Sequence, residues 1–235
     1  AAPPVAYVSH RAYDTLRQRH RTPEADLPVR GRLLEYVPPP AAASPDAFEG
    51  HDYERLKNPQ AVATGNKIEV LEFFWYRCPH CFQLEPALES WMKKLPQDAP
   101  VRRVPAVFRD DWMPGAKIFH TLEQMGELPK LHKKVFDAYH VQNINLNDPA
   151  VLMDWVGKQG VDRKKFESIY KSFSTQSRAT QGGRLASSYA IRGVPAFVID
   201  GKYSTSVSMT GSEARLFEVL DQLIAKARDE RAAKK

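Results

Sequence analysis

Phe73-Phe74-Trp75-Tyr76-Arg77-Cys78-Pro79-His80-Cys81 is the stretch on which the fold turns. Residues 67–76 (KIEVLEFFWY) are apolar toward both faces and rich in β-branched and aromatic types, the pattern of a central, buried strand. The run leads straight into Cys78, and Pro79 suits the first turn of a helix. Beyond it Cys81, Leu84, Leu88, Trp91 and Leu95 recur at alternating spacings of three and four, which predicts one apolar helical stripe. Pro86 lies inside that helix and removes a backbone hydrogen bond, so a kink is expected there. Val101–Phe108 is a second strand candidate, which completes a strand–helix–strand unit around the cysteines.

Cys78 and Cys81 are the only two cysteines in 235 residues. A zinc site needs four ligands as a rule, and the seven histidines offer no second pair at finger spacing, so no metal is expected within one chain. A structural disulfide closing so short a loop would add little stability. What remains is a redox pair. Two residues apart at a helix start, the Cα atoms lie about 5–6 Å from each other, within reach of a disulfide. Cys78 at the helix N-terminus meets free N–H groups and the positive dipole end, with Arg77 and His80 on either side, so its thiol should fall well below the usual ~8.5. Cys81 lies on the apolar stripe, so it should be buried and less acidic. Stabilising the thiolate stabilises the dithiol, which makes the disulfide an oxidant of other thiols.

Glu72 interrupts the apolar strand, where a carboxylate is costly unless paired or protonated. It reads as a buried proton relay for Cys81, as a salt-bridge partner of an arginine such as Arg103, or as a partly wet position at the strand end. Val194-Pro195 precedes another strand, and base rates alone favour a trans bond.

Outward from this centre, residues 114–190 carry helical patterns. Asp148-Pro149 and Asp162 mark helix starts; Leu128, Leu131 and Val135, then Leu152, Trp155 and Val156, mark buried faces. Ala196–Ile199, Asp200-Gly201 and Tyr203 onward predict a β-hairpin, and Thr210-x-x-Glu213 a capping box opening a last helix to about Arg228. The first 45 residues hold eight of the 18 prolines and no lysine, and read as an extension without a fold of its own. Ala41-x-Ala43 has the small-residue pattern of a signal-cleavage site, but no apolar stretch precedes it. Of the formal net charge of +6, all but one unit resides in the two ends; residues 46–225 hold 23 basic and 22 acidic side chains. That distribution argues against a nucleic-acid-binding face. No apolar run approaches the ~18–20 residues of a membrane span, and the chain reads as soluble.

With Gly193-Val194-Pro195 downstream, the 73–81 stretch resembles the DsbA family of bacterial periplasmic thiol:disulfide oxidoreductases, over roughly residues 48–230. The resemblance implies an α/β thioredoxin fold with an inserted helical domain: residues 48–110 as its first part, 111–188 as the insertion, and 189–235 as the second part with a basic tail. The N-terminal extension, 1–47, stays outside. By position Cys78 resembles the nucleophile, Cys81 the resolving cysteine and His80 the residue that most stabilises the thiolate. Pro79 completes the dipeptide, Pro195 resembles a cis-proline facing the disulfide, Val194 its substrate-pairing neighbour, and Glu72 the family's buried acid. The family's usual lysine partner for that acid is not matched; Arg103 or Arg102 stands nearby. The resemblance further implies a periplasmic monomer that oxidises reduced protein substrates, needs no small-molecule cofactor and is reoxidised by a membrane quinone-linked partner of the DsbB type. Rival readings are an isomerase or reductase on the same fold, a redox-switched chaperone or binding module, and a nucleic-acid or membrane-surface binder acting through its basic ends.

Overall fold

The computed structural model describes residues 44–233 of the chain. The Ala41-x-Ala43 pattern, most of the proline-rich extension and the last two lysines lie outside those residues. Five strands form one mixed sheet in the order β1-β5-β4-β2-β3. These are β1 (Glu54–Arg55), β2 (Val70–Phe74), β3 (Val101–Pro105), β4 (Ala196–Ile199) and β5 (Tyr203–Thr205). β2 and β3 run parallel, joined by helix α1 (Pro79–Met92), and β4 runs antiparallel on the other side of β2. The predicted central strand is therefore central, with all five of its residues buried.

Between β3 and β4 the chain leaves the sheet and builds five helices: α2 (Met113–Met125), α3 (Leu128–His140), α4 (Pro149–Lys158), α5 (Arg163–Tyr170) and α6 (Phe173–Ser188). Asp148 and Asp162 cap α4 and α5, accepting backbone N–H bonds as their positions predicted. The chain then returns through the β4–β5 hairpin. Asp200 and Gly201 both have positive φ (53° and 64°), the two-residue turn whose twist matches its strands.

Two expectations need correcting. The last helix, α8 (Glu213–Ala232), is capped by Ser212, whose hydroxyl accepts from the Arg215 N–H. Thr210 instead ends a short helix, α7 (Val207–Thr210), and its hydroxyl is spent on nearby carbonyls. The stripe on α1 also stops short: the helix ends at Met92, so Leu95 lies beyond it. Moreover, Cys81 packs in a different cluster from Leu84, Leu88 and Trp91.

That division explains where the site lies. Val70 on one sheet face packs with Leu84, Leu88 and Trp91 of α1 and with Leu216, Leu220 and Leu223 of α8. Leu71 and Phe73, pointing the other way, pack with Val104, Ala186 and Tyr189 under α6. A third cluster begins where β2 ends: Phe74, Tyr76, Cys78 and Cys81 pack against Ile118, Phe119, Leu131, Val135 and Phe136 of the inserted helices. α6 reaches the sheet through Gly182 and Gly183. A Cβ on Gly182 would collide with the Pro105 carbonyl oxygen, and one on Gly183 would lie 2.6 Å from that of Val107. Residues 45–52 are tied to α8: Arg215 donates to the Pro45 and Asp46 carbonyls and to Asp52, and Gln222 accepts from the Ala47 N–H.

Candidate active site

Cys78 is the N-cap of α1. Its extended backbone (φ −79°, ψ 117°) turns the strand into the helix, and Pro79 occupies the first helical position, where no N–H is needed. The Cys81 N–H reaches back to the Cys78 sulfur at 3.4 Å. Both cysteines are free thiols, and both are buried.

The two sulfurs differ sharply in acidity. Cys78 is lowered from 9.0 to about 6. The largest cause is a hydrogen bond from the Cys81 thiol; burial works against it, and the Cys81 and His80 N–H groups and the His80 charge add to it. Cys81 is pushed well up, chiefly by burial, then by donating that same bond and by the neighbouring Cys78 and Glu72. The expected difference between the cysteines is present, but its main source is the partner thiol rather than His80. Arg77, expected to acidify Cys78 from its place in the sequence, lies exposed with its guanidinium 5.9 Å from the Trp75 ring and is not among the principal groups acting on the sulfur.

The thiolate should appear as a rise in 240 nm absorbance with its midpoint near pH 6, and Cys81→Ala should move that midpoint upward. A folded value below the unfolded one contributes stability that is complete above 9.0 and is lost as pH falls through about 6. The disulfide form has no such thiol. The margin by which the dithiol outlasts the disulfide in thermal melts should therefore shrink steadily from pH 9 to pH 6. A margin flat across that range would refute the assignment.

Val194-Pro195 lies against this pair, and the bond between them is cis, against base rates and as the resemblance implied. The Cys78 thiol points at the Val194 carbonyl, 3.5 Å away. His80, Gln83, Val194, Pro195 and Ala196 also line a cleft of about 1090 Å³ that continues past Arg192. Pro79 and His80 are exposed, so the approach to Cys78 is open on this side.

Behind the cysteines lies a buried charge cluster that sequence reasoning saw only in part. Strand register places Glu72 directly opposite Arg103, whose Nη1 lies 3.5 Å from Glu72 Oε2. Arg102 is excluded as the partner: it points away, to the buried Glu69 at 3.3 Å. Arg103 gives its short bonds elsewhere, 2.7 Å to Glu85 and 2.6 Å to Glu89. Burial raises Glu72 to about 7, with Arg103 pulling it down and Glu85 and Glu89 pushing it up. Glu85 is also buried, and burial opposes its charge, but the Arg103 guanidinium 2.7 Å away holds it low. Glu85 and His132 are the residues missed. Glu85 is four residues beyond Cys81 on the stripe, and His132 lies between Leu128 and Phe136 at the same spacing; that period was the available signal.

Comparison with known proteins agrees with the geometry. Residues 103–223 match the family model of the DSBA-like thioredoxin domain. A thiol:disulfide interchange protein DsbA from Burkholderia cepacia is 42% identical over 193 residues, covering 81% of this chain and 91% of the relative. Its counterpart in Pseudomonas aeruginosa is 38% identical over 83% of this chain and 91% of its own length. The crystal structure of the P. aeruginosa protein superposes with a TM-score of 0.74, covering 79% of this chain and 96% of that one. With a family model matched over residues 103–223 and relatives 42% and 38% identical over most of both chains, the chain belongs to the DsbA-like thioredoxin family.

Proposed function

We propose that this chain donates its Cys78–Cys81 disulfide to reduced proteins newly exported to the periplasm. The observation that carries this is the unequal pair: an acidic, approachable Cys78 beside a buried Cys81 that holds its proton. A substrate thiolate attacks the Cys78 sulfur; the S–S bond to Cys81 breaks, and a mixed disulfide forms. Cys81 leaves as a thiolate and takes up a proton, for which Glu72, buried and protonated near neutrality, is the nearby acid. A second substrate thiolate attacks the substrate sulfur of the mixed disulfide and expels Cys78, whose low pKa makes it a good leaving group. The substrate is oxidised by two electrons and the enzyme is left as a dithiol.

In this reading His80 and the helix N-terminus favour the Cys78 thiolate, and Pro79 starts the helix. Val194 offers its backbone, and Pro195 its ring, to an extended substrate segment in the cleft, where main-chain pairing accounts for broad specificity. Residues 48–110 and 189–235 act as one thioredoxin unit, interrupted by residues 111–188. The protein works as a monomer without a small-molecule cofactor, and a DsbB-type quinone-linked membrane protein restores the disulfide. Among the described residues no helix is long and apolar enough to cross a membrane itself.

The test is the Cys78–Cys81 equilibrium against glutathione, read by tryptophan fluorescence. Trp75 is suited to report it, since its carbonyl accepts the Cys78 N–H and its ring stacks on Trp112 at 4.0 Å. The expected midpoint is far more oxidising than thioredoxin's, about −270 mV. The oxidised protein should also convert a reduced two-cysteine peptide to its disulfide, one for one. A thioredoxin-like midpoint would overturn the oxidase reading in favour of a reductase.

A further inference from the structure

His132 is almost fully buried, on a helix of the insertion, yet both its ring nitrogens are engaged with the sheet domain. Nδ1 lies 2.7 Å from the Tyr76 hydroxyl. Nε2 faces two groups: Arg103 Nη1, with which it forms a short hydrogen bond, and Glu85 Oε1 at 3.5 Å. A guanidinium has no lone pair to offer, so Arg103 must donate and Nε2 must accept. The ring is then neutral, with its proton on Nδ1 directed at Tyr76. Burial favours the same state.

The rest of the cluster shows what this bond does. From β2 and the turn after it come Glu72 and Tyr76; from α1, Glu85 and Glu89; from β3, Arg103; from α2, the uncharged Phe119 ring. Arg103 Nη1 is shared among Glu85, His132 and, at 3.5 Å, Glu72. Glu72 Oε2 is buried and accepts no hydrogen bond. Glu72 therefore has a cation near it but is denied the contact that would fix it as a carboxylate.

We propose that His132 is a positioning residue for thiol exchange: by accepting the Arg103 Nη1 proton it holds the guanidinium on the Glu85 side of the cluster and leaves Glu72 free to keep and release a proton. The inference rests on reading Glu72 as the acid that serves Cys81. It also makes the site sensitive to the state of His132. A protonated ring would donate from Nε2 to Glu85 Oε1, which has no other partner, and would repel Arg103 toward Glu72.

The test compares His132→Leu with His132→Gln in protein carrying carboxyl-¹³C glutamate, titrated by NMR in the dithiol form. Gln can still accept from Arg103, whereas Leu cannot. Glu72 should titrate alike in the unaltered protein and the Gln variant, and lower by about one pH unit or more in the Leu variant, where Arg103 can close on it. An unmoved Glu72 titration in the Leu variant overturns the proposal. A second readout is the pH profile of Cys81-dependent release of a single-cysteine peptide from its mixed disulfide with Cys78. Movement of that profile in parallel with Glu72 supports the whole scheme. A shifted Glu72 with an unshifted profile overturns the catalytic part through its premise, showing that Glu72 does not serve Cys81. Should the Leu variant fail to fold, imidazole ¹⁵N shifts of the unaltered protein decide: an Nδ1–H ring with an accepting Nε2 at pH 7 supports the assignment, and a protonated Nε2 overturns it.

Discussion

The Cys81→Ala protein, charged with a single-cysteine peptide, is expected to hold that peptide as a stable mixed disulfide on Cys78, while the unaltered protein sheds it within the mixing time. In the intact pair Cys81 lies at the next turn, in contact with the Cys78 sulfur, and its attack closes the internal disulfide and expels the peptide. A neighbour so placed acts at an effective concentration far above that of any free thiol. Its removal leaves only external thiols at about millimolar level, so the adduct's lifetime should rise by about 10³-fold or more. Cys78→Ser should form no adduct, because the remaining Cys81 is buried and holds its proton. Mass spectrometry of quenched mixtures reads all three. Equal adduct on the Cys78→Ser protein would reverse the roles given to the two cysteines.

The largest effect on stability is expected at Arg103. Its side chain is 10% exposed and is shared by Glu85, 4% exposed, and Glu72, 2% exposed. Arg103→Leu would strand the Glu85 charge in an apolar interior, a change that costs about 3–5 kcal/mol when one partner of a buried pair is lost. Glu89, with a side chain 44% exposed, adds little of this because water screens it. Arg103→Lys should recover part of the loss: an ammonium can serve one carboxylate well but cannot span Glu85 and Glu89 as the guanidinium fork does. Glu85 is depressed in the intact protein, so its pairing contributes stability above the normal glutamate range, lost only in strong acid. In the Leu variant that contribution is gone, and the gap between the two proteins should stay wide from pH 8 down to about 4.5 and close only as pH falls toward about 2. Urea unfolding at several pH values checks this. A deficit under about 1 kcal/mol at pH 7 would show that the cluster does not depend on Arg103.

These two sites also mark what could be read from the sequence. The strand, the cysteine cap and the hairpin turn depend on neighbours close in the chain, so period, Pro79 and Asp200-Gly201 were sufficient. Glu72 looked anomalous because its strand was otherwise apolar, and the family resemblance narrowed its partner to two adjacent arginines. Choosing between them needed the parallel register, which sets Arg103 inward and Arg102 outward. Glu85 and His132 were lost for a related reason. A polar residue beside an apolar stripe reads as its solvated edge until a second element, here the insertion packed on α1, covers that edge. Thr210 misled because a capping box and the end of a one-turn helix look alike when Ser212 stands two residues on. β1 is two residues long and exists only by pairing with β5, so no period could announce it.

The edges of the sheet carry a consequence of their own. A protein that handles unfolded, reduced chains meets partners prone to add themselves as extra strands wherever an edge is bare. Here one edge is the two-residue β1, too short to template a ladder, and its Glu54 and Arg55 are both charged. The other is β3, which carries Arg102 exposed, turns Arg103 inward, ends in Pro105 and is capped by the closely packed glycines of α6. Short length, charge, proline and a covering helix are each known deterrents to edge-to-edge growth. Under the proposed function such edges would resist co-aggregation with client chains and leave main-chain pairing to the Val194 side of the cysteines.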